Sequence, residues 1–204
     1  ILAGLMGKWL KMPQRDQLRL ITAGFLVLIG NLRIEQAMLD KEGVLTPDER
    51  KIMQEHPKFG HELIMAGGLG EDKEIAEAVL QYHERGDGSG YPRGLVKEEI
   101  GEFARILAIM DMYDAMASDR SYAKKRSPFE VFNILADDIM NGRLDTDFGF
   151  RFIRRVCHSL NGNWVKLSNG EAGKIIYIDE SRLASLPVVQ TMDGEFMDLN
   201  LRTD

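Results

Sequence analysis

The chain has 204 residues, 44% hydrophobic and 28% charged, a composition typical of a soluble globular protein large enough for one full core. Its net charge of −6 excludes a broad basic surface for a nucleic-acid polymer, and its single cysteine, Cys157, excludes an intramolecular disulfide and fits a reducing compartment. The most apolar run, residues 20–32, is shorter than the roughly 20 residues that span a bilayer, so we expect a cytoplasmic protein without a membrane span. The first residues lack an initiator methionine and continue a helical pattern, which predicts a fragment of a longer chain.

Helical periodicity dominates the chain up to Leu160. A strong start signal lies at Thr46, because Pro47 follows at the first helical position and Glu49 completes a capping box. His56 precedes a proline, which interrupts that helix and restarts it. The other predicted helices cover residues 2–11, 16–32, 71–84, 98–119, 127–140 and 146–157. The predicted fold class is mainly α, a bundle of about seven helices.

After Leu160, short β-prone runs alternate with turn dipeptides. Asn-Gly and Asp-Gly are the strongest short hairpin signals, because both residues tolerate the positive φ angles of two-residue turns. The dipeptides are Asn161-Gly162, Asn169-Gly170 and Asp193-Gly194, and the strand candidates are residues 164–167, 174–178, 187–190 and 195–199. We therefore predict a helical domain over residues 1–160 and a small β appendage of two hairpins over residues 161–204.

A polar stretch with many glycines lies at residues 81–92, Gln-Tyr-His-Glu-Arg-Gly-Asp-Gly-Ser-Gly-Tyr-Pro. A predicted helix ends there in a histidine, an acid and an arginine, and then breaks into a loop. The loop could be only a tight turn, but three glycines around Asp87 and Ser89 exceed what a turn requires. We predict a loop that contacts a ligand or another protein. Its residues are Gly86, Asp87, Gly88, Ser89, Gly90, Tyr91 and Pro92.

This stretch resembles the signature of the HD-GYP family, which usually reads His-His-Glu followed by an Asp-Gly-x-Gly-Tyr-Pro loop. Residues 56–60, His-Pro-Lys-Phe-Gly, resemble the family's His-Pro-x-x-Gly motif, and the likeness covers about residues 15–160. It implies an HD-type helical bundle and a metal-dependent phosphodiesterase, a hydrolase acting on cyclic-di-GMP. In such a site, cations with carboxylates between them activate a water and neutralise the phosphate.

The likeness also implies which metal ligands are kept and which are replaced. The kept ligands are His56, His83 and Asp111. The His-Asp pair that names the family is Val27-Leu28 here, and the first histidine of the central motif is Tyr82. Without the bridging aspartate two dications repel each other in a low-dielectric site, so we expect no multi-metal centre. We expect Val27 and Leu28 to pack into the core and Tyr82 to fill the space of a metal.

The favoured prediction is therefore that no cofactor is bound. The alternative is a single divalent ion, Fe, Mn or Zn, on the three kept ligands plus water. The likeness implies contacts to a phosphate from Arg85, Tyr91, Arg120 and Lys124. If the domain is active, Tyr91 and Asp111 are the candidate catalytic residues. A buried Asp111 requires a partner such as His83, Arg120 or a cation, because an unpaired buried carboxylate is costly.

Three functions follow from this likeness. The first is a degenerate, catalytically weak or inactive signalling domain of bacterial cyclic-di-GMP pathways, which binds the nucleotide or docks proteins such as GGDEF diguanylate cyclases through the loop. The second is an active phosphodiesterase with a reduced metal site. The third is a structural dimerisation module that transmits a signal from an upstream sensor or receiver domain. The enzyme requires a bound metal, the nucleotide binder requires affinity without metal, and the structural module requires neither.

Overall fold

The structure is a computed structural model that describes residues 1–68, 72–118, 126–179 and 185–201. The α-helices are α1 (Leu2–Trp9), α2 (Gln14–Leu26), α3 (Gln36–Leu39), α4 (Pro47–Met53), α5 (His56–Ala66), α6 (Lys73–Gln81), α7 (Glu102–Ala117), α8 (Pro128–Met140) and α9 (Thr146–Leu160). Short 3-10 helices lie at Ile29–Arg33, Lys97–Glu99 and Leu199–Leu201. The strands are β1 (Trp164–Lys166), β2 (Ala172–Tyr177), β3 (Val188–Thr191) and β4 (Phe196–Asp198). The prediction of a mainly α fold with a β appendage is confirmed.

Polar side chains start several helices, among them the Thr46 capping box that the sequence predicts. The Thr46 hydroxyl accepts a hydrogen bond from the Glu49 N–H, and the Glu49 carboxylate accepts one from the Thr46 N–H. Asp72 caps α6 by accepting from the Ile75 N–H. The same carboxylate accepts from Nε and NH2 of Arg19 on α2, at 2.5 and 2.6 Å. The helix that leads into residues 81–92 is thereby fixed to α2.

The predicted second helix is shorter than expected. It ends at Leu26, and the chain tightens into the 3-10 segment Ile29–Arg33. Gly30 explains the change, because this segment packs directly on α5: a Cβ at Gly30 would collide with the His56 carbonyl oxygen and lie 2.7 Å from the Gly60 nitrogen. The close approach places the 3-10 segment that follows α2 beside His56.

The largest fully buried side chains come from both ends of the helical region and from the sheet. They are Met6, Leu20, Ile64, Tyr82, Glu84, Ile106, Ile109, Phe132, Leu135, Phe152, Ile153 and Ile175. Most belong to one continuous apolar cluster that α1, α2, α6, α7, α8 and α9 share. This cluster includes Tyr82, so it lies directly against the polar residues of the candidate site.

The four strands form one antiparallel sheet in the order β1-β2-β3-β4. The two predicted hairpins are therefore joined, because β2 pairs with β3 as well as with β1. Ile175 and Val189 on the inner face are fully buried and belong to the same apolar cluster as Phe152 of α9. The sheet thus covers one side of the helical core.

None of the helices in the described ranges is long and apolar enough to cross a membrane.

Candidate functional site

Three elements bring the predicted polar residues together. His56 begins α5, His83 lies two residues beyond the end of α6, and Asp111 lies in α7. The rings of His56 and His83 have centroids 5.1 Å apart, and Nδ1 of His83 is 3.8 Å from Oδ2 of Asp111. The structure therefore places the three predicted metal ligands side by side.

His56 is buried and both of its ring nitrogens are hydrogen-bonded. Nδ1 lies 2.7 Å from the carbonyl oxygen of Met53, and Nε2 lies 2.6 Å from the Tyr82 hydroxyl. Because a carbonyl can only accept, Nδ1 carries the proton and Nε2 accepts from Tyr82. Burial also lowers the pKa of His56, which favours this neutral form. Tyr82 itself is fully buried, and burial raises the pKa of its hydroxyl.

A stack of aromatic rings fills the space between α6 and the loop. The His83 ring lies 4.0 Å from that of Tyr82 and 4.7 Å from that of Tyr91 by centroid, the latter pair nearly parallel at 27°. Burial, with His56 and Arg85 nearby, lowers the pKa of His83 to about 3. Burial, and then the charge of Asp111, raises the pKa of Tyr91. The ring stack is therefore neutral near pH 7.

The residues present do not fit a metal centre as they are arranged. The described ranges contain no group of three or more His, Cys, Asp or Glu side chains placed to hold a metal ion. The decisive contact is the Tyr82 hydroxyl on Nε2 of His56, because it occupies the lone pair that a metal would need.

The two residues at the position of the His-Asp pair behave differently from each other. Val27 packs against the main apolar cluster, as expected. Leu28 remains 57% exposed, so the expectation that it joins the core is wrong. The cause is the end of α2: the helix stops at Leu26, and Leu28 lies in the turn before the 3-10 segment.

Glu84 holds the glycine-rich loop, a role that was not predicted from the sequence. Its side chain is only 2% exposed, and its two carboxylate oxygens accept from the N–H groups of Arg93 and Leu95, at 2.7 and 3.0 Å. Gly90 passes so close to this turn that a Cβ there would collide with the nitrogen of Arg85 and lie 2.6 Å from the carbonyl carbon of Glu84. The sequence did contain a signal for this role. The backbone N–H groups of an irregular loop need acceptors, and an acid at the start of the loop can accept from them.

The other side of the loop is tied to the turn between α8 and α9. The Gly86 N–H donates to the Arg143 carbonyl at 3.0 Å, and the Lys97 N–H donates to the Gly86 carbonyl at 3.1 Å. At the tip, Asp87 accepts from both the N–H and the hydroxyl of Ser89, at 3.0 and 2.6 Å. Asp87 and Ser89 are exposed, so the tip faces solvent on a fixed base.

The structure describes two of the four residues that were predicted to contact a phosphate. Arg85 donates through NH1 to the carbonyl oxygens of Glu84 and Tyr82, at 2.8 and 3.4 Å, so it is turned toward the end of α6. Tyr91 is partly buried against His83. Arg120 and Lys124 lie outside the described residues.

Comparison with known proteins adds an independent finding. The sequence model of a family described as "HD domain" matches residues 1–148. The cyclic di-GMP phosphodiesterase PA4108 of Pseudomonas aeruginosa is 33% identical over 158 residues, which cover 76% of this chain and 36% of that protein. The cyclic di-GMP phosphodiesterase response regulator RpfG of Xanthomonas campestris pv. campestris is 39% identical over 121 residues, which cover 59% of this chain and 32% of the relative.

A relative named for a different cyclic dinucleotide is about as similar. The 3'3'-cGAMP-specific phosphodiesterase 3 of Vibrio cholerae is 32% identical over 163 residues, which cover 80% of this chain and 35% of that protein. The chain thus spans about a third of the length of these three relatives.

Proposed function

Because the chain belongs to the HD domain family, as a member of its HD-GYP type, we propose that it is a bacterial cyclic-di-GMP signalling domain that no longer hydrolyses the nucleotide. In this proposal a neutral hydrogen-bonded cluster replaces the metal centre. The glycine-rich loop keeps its shape and serves as the docking surface for another signalling protein, such as a diguanylate cyclase.

The observation that carries the proposal is the hydrogen bond between Tyr82 and Nε2 of His56. It uses the lone pair of the kept histidine, and it does so with the residue that replaces the other histidine of the motif. A metal would have to displace a buried hydroxyl that has His56 as its partner, and leaving that hydroxyl unpaired costs about 1–3 kcal/mol. The substitution at Tyr82 thus supports a closed, metal-free arrangement.

The electrostatics of the site support the same conclusion. Hydrolysis of a phosphodiester by two metals requires carboxylates between the cations, which otherwise repel each other. Asp111 is the carboxylate 3.8 Å from His83, while the position of the family aspartate is Leu28. An apolar side chain supplies no charge to hold a second dication.

The loop supports docking rather than nucleotide binding. Its exposed tip, Asp87 and Ser89, presents polar groups on a base that Glu84 and Gly86 fix through backbone hydrogen bonds. Arg85 already donates to two carbonyl oxygens, and the Tyr91 ring is stacked on His83. A rigid, exposed loop costs little ordering entropy when it binds a partner.

The first test is metal content together with phosphodiesterase activity. The protein is purified without chelator, incubated with manganese or ferrous iron, and assayed with cyclic-di-GMP and 3'3'-cGAMP. We expect less than one tightly bound metal per chain and no hydrolysis above background. The matched variant combines Val27→His, Leu28→Asp and Tyr82→His, and we expect it to gain metal. Hydrolysis by the unmodified protein, with one metal or with more, would overturn the proposal in favour of an enzyme.

The second test separates docking from nucleotide binding. Ser89→Arg changes the loop tip but keeps the backbone bond to Asp87, and Ser168→Arg is a matched change at an exposed serine between β1 and β2. Binding to a purified diguanylate cyclase domain is measured by interferometry, and we expect Ser89→Arg alone to weaken it. Calorimetry with cyclic-di-GMP in EDTA is run in parallel. Metal-independent nucleotide affinity without protein binding would overturn the docking role.

A further inference from the structure

A small cavity lies beside the base of the glycine-rich loop, between α7 and the turn that joins α8 to α9. Its volume is about 10 Å³, close to the least that holds one water molecule. None of the three predicted metal ligands is among the residues that line it. The lining residues that matter for its chemistry are Glu84, Lys97, Arg105, Arg143 and Asp145.

The two arginines in the lining each have a donor group left over. NH1 of Arg105 is 2.7 Å from Oδ2 of Asp145, and NH2 of Arg143 is 2.5 Å from Oδ1 of Asp138. The two side chains are 27% and 37% exposed as a whole, but their Nε atoms are buried. Neither Nε–H group has an acceptor among the described residues. A buried donor without an acceptor is costly, and native proteins pair nearly all such groups.

The charges of the lining identify the class of ligand. A ligand that contacts both Nε–H groups must accept two hydrogen bonds, which a water oxygen and a halide ion can both do. A halide is disfavoured, because each arginine and Lys97 is already paired with a carboxylate, and the Glu84 carboxylate also lines the cavity. A water molecule gains from Glu84 instead. Each carboxylate oxygen of Glu84 accepts one of the backbone hydrogen bonds described above and has capacity for another.

We propose that this cavity binds one structural water molecule, which accepts hydrogen bonds from Nε of Arg105 and Nε of Arg143 and donates to Glu84. The water joins α7, the turn between α8 and α9, and the acid that holds the glycine-rich loop. The Gly86 N–H donates to the carbonyl oxygen of Arg143, so the turn that the water fixes also carries the base of the loop. Arg105 and Arg143 are thus positioning residues for the loop. This role does not depend on whether the loop docks a protein or contacts a nucleotide.

A high-resolution crystal structure of the unmodified chain tests the site directly. We expect one electron-density peak within hydrogen-bonding distance of both Nε atoms, about 2.7–3.2 Å. Crystals grown in sodium bromide should show no anomalous peak at this place. The absence of density there would overturn the proposal. An anomalous bromide peak would overturn the assignment to water and identify the site as a halide site.

A pair of variants tests in solution whether the two arginines share one ligand. Arg105→Lys and Arg143→Lys each keep a cation for the neighbouring carboxylate but remove the Nε–H group. Each should lower the equilibrium constant for folding about tenfold, as measured by urea denaturation. The double variant should lose less than the product of the two effects, because the first change has already weakened the binding of the water. Two effects that simply multiply would overturn the shared water.

Hydrogen exchange at the Gly86 amide tests the link to the loop. We expect exchange about tenfold faster in Arg105→Lys, because this variant loosens the turn that holds Gly86 without touching their backbone bond. Arg151→Lys is the matched control, since Nε of Arg151 is bonded to Asp147 on the exposed side of α9. It should leave Gly86 exchange unchanged, and its effect on folding should multiply with that of Arg105→Lys. Unchanged Gly86 exchange in Arg105→Lys would overturn the positioning role.

Discussion

The two sides of the candidate site differ in what holds them in place. On the loop side, Glu84 and Gly86 bind backbone groups, and Gly90 leaves no room for a side chain. On the side of α2 and α5, Val27 packs against the apolar cluster and the Tyr82 hydroxyl donates to Nε2 of His56. The base of the loop is therefore fixed by backbone hydrogen bonds, and Tyr91 adds a stack on the His83 ring. This difference teaches that the two sides of the site are held by different kinds of contact, backbone hydrogen bonds on one side and side-chain packing on the other.

The largest expected effect comes from adding a Cβ atom at Gly90, where the neighbouring backbone leaves no room for one. In Gly90→Ala the new Cβ meets backbone atoms of Glu84 and Arg85, which cannot rotate away, so we expect a loss of about 3 kcal/mol or more in unfolding free energy. Urea denaturation measures it. Gly101→Ala is the control, because a Cβ at Gly101 makes only an ordinary 3.5 Å contact with Gln81. Equal losses in both variants would show that the loop side is not tightly packed.

The second effect tests the carboxylate beneath the loop. Glu84→Gln keeps the size of the side chain but replaces one acceptor with a donor, so one of the two backbone N–H groups loses its partner. We expect destabilisation of about 2 kcal/mol and faster hydrogen exchange at Arg93 and Leu95. Glu77→Gln, at a side chain 39% exposed, should change stability by less than about 0.5 kcal/mol. Unchanged exchange at both amides would remove Glu84 from its positioning role.

The third effect concerns the side of the site formed by α2 and α5. Tyr82→Phe leaves Nε2 of His56 buried without a donor, and we expect a loss of about 1.5 kcal/mol in unfolding free energy. Nitrogen NMR of the unmodified protein should show His56 neutral with the proton on Nδ1. Tyr113→Phe is the control, since the partly buried Tyr113 ring packs against Phe132 and Phe152, and its loss should be smaller. A His56 proton on Nε2 would contradict the assigned direction of the bond.

The smallest effect tests the tie between α2 and α6, which joins the two sides. Arg19 lowers the pKa of the Asp72 carboxyl in the folded protein, chiefly by hydrogen bonding. The pair therefore stabilises the fold at pH values above the pKa that this carboxyl has in the unfolded chain. The stabilisation is lost as the pH falls through the lower pKa of the folded state. Asp72→Asn keeps a helix cap but loses the charge. We expect it to be about 1 kcal/mol less stable at pH 7. The difference should shrink below about pH 4, and a difference that persists in acid would exclude the ion pair as its cause.

The start of α4 was predictable because it depends on local chemistry. Thr46, Pro47 and Glu49 lie within four residues of sequence and form a capping box. The strands followed equally well from turn dipeptides and β-branched runs. Local sequence patterns did not predict the pairing of β2 with β3, which joins residues from two separate hairpins.

The proximity of three residues of the candidate site was predictable, but their contacts were not. The likeness placed His56, His83 and Asp111 together, and the structure brings them side by side. The bond from Tyr82 to His56 joins residues 26 positions apart, so no local pattern reveals it. Leu28 was misjudged for a similar reason: its exposure depends on where α2 stops, and that is decided by the approach of Gly30 to α5.

The apolar cluster that unites helices and sheet has a consequence for how the protein is made. Met6 of α1 and Val189 of β3 belong to the same cluster, so elements from both ends of the chain complete one core. During synthesis the helices emerge from the ribosome long before β3, and until then the apolar surface that Ile175 and Val189 cover stays open to water. Nascent chains stalled before β3 should therefore bind chaperones that recognise exposed apolar surface, and release them once the sheet has formed.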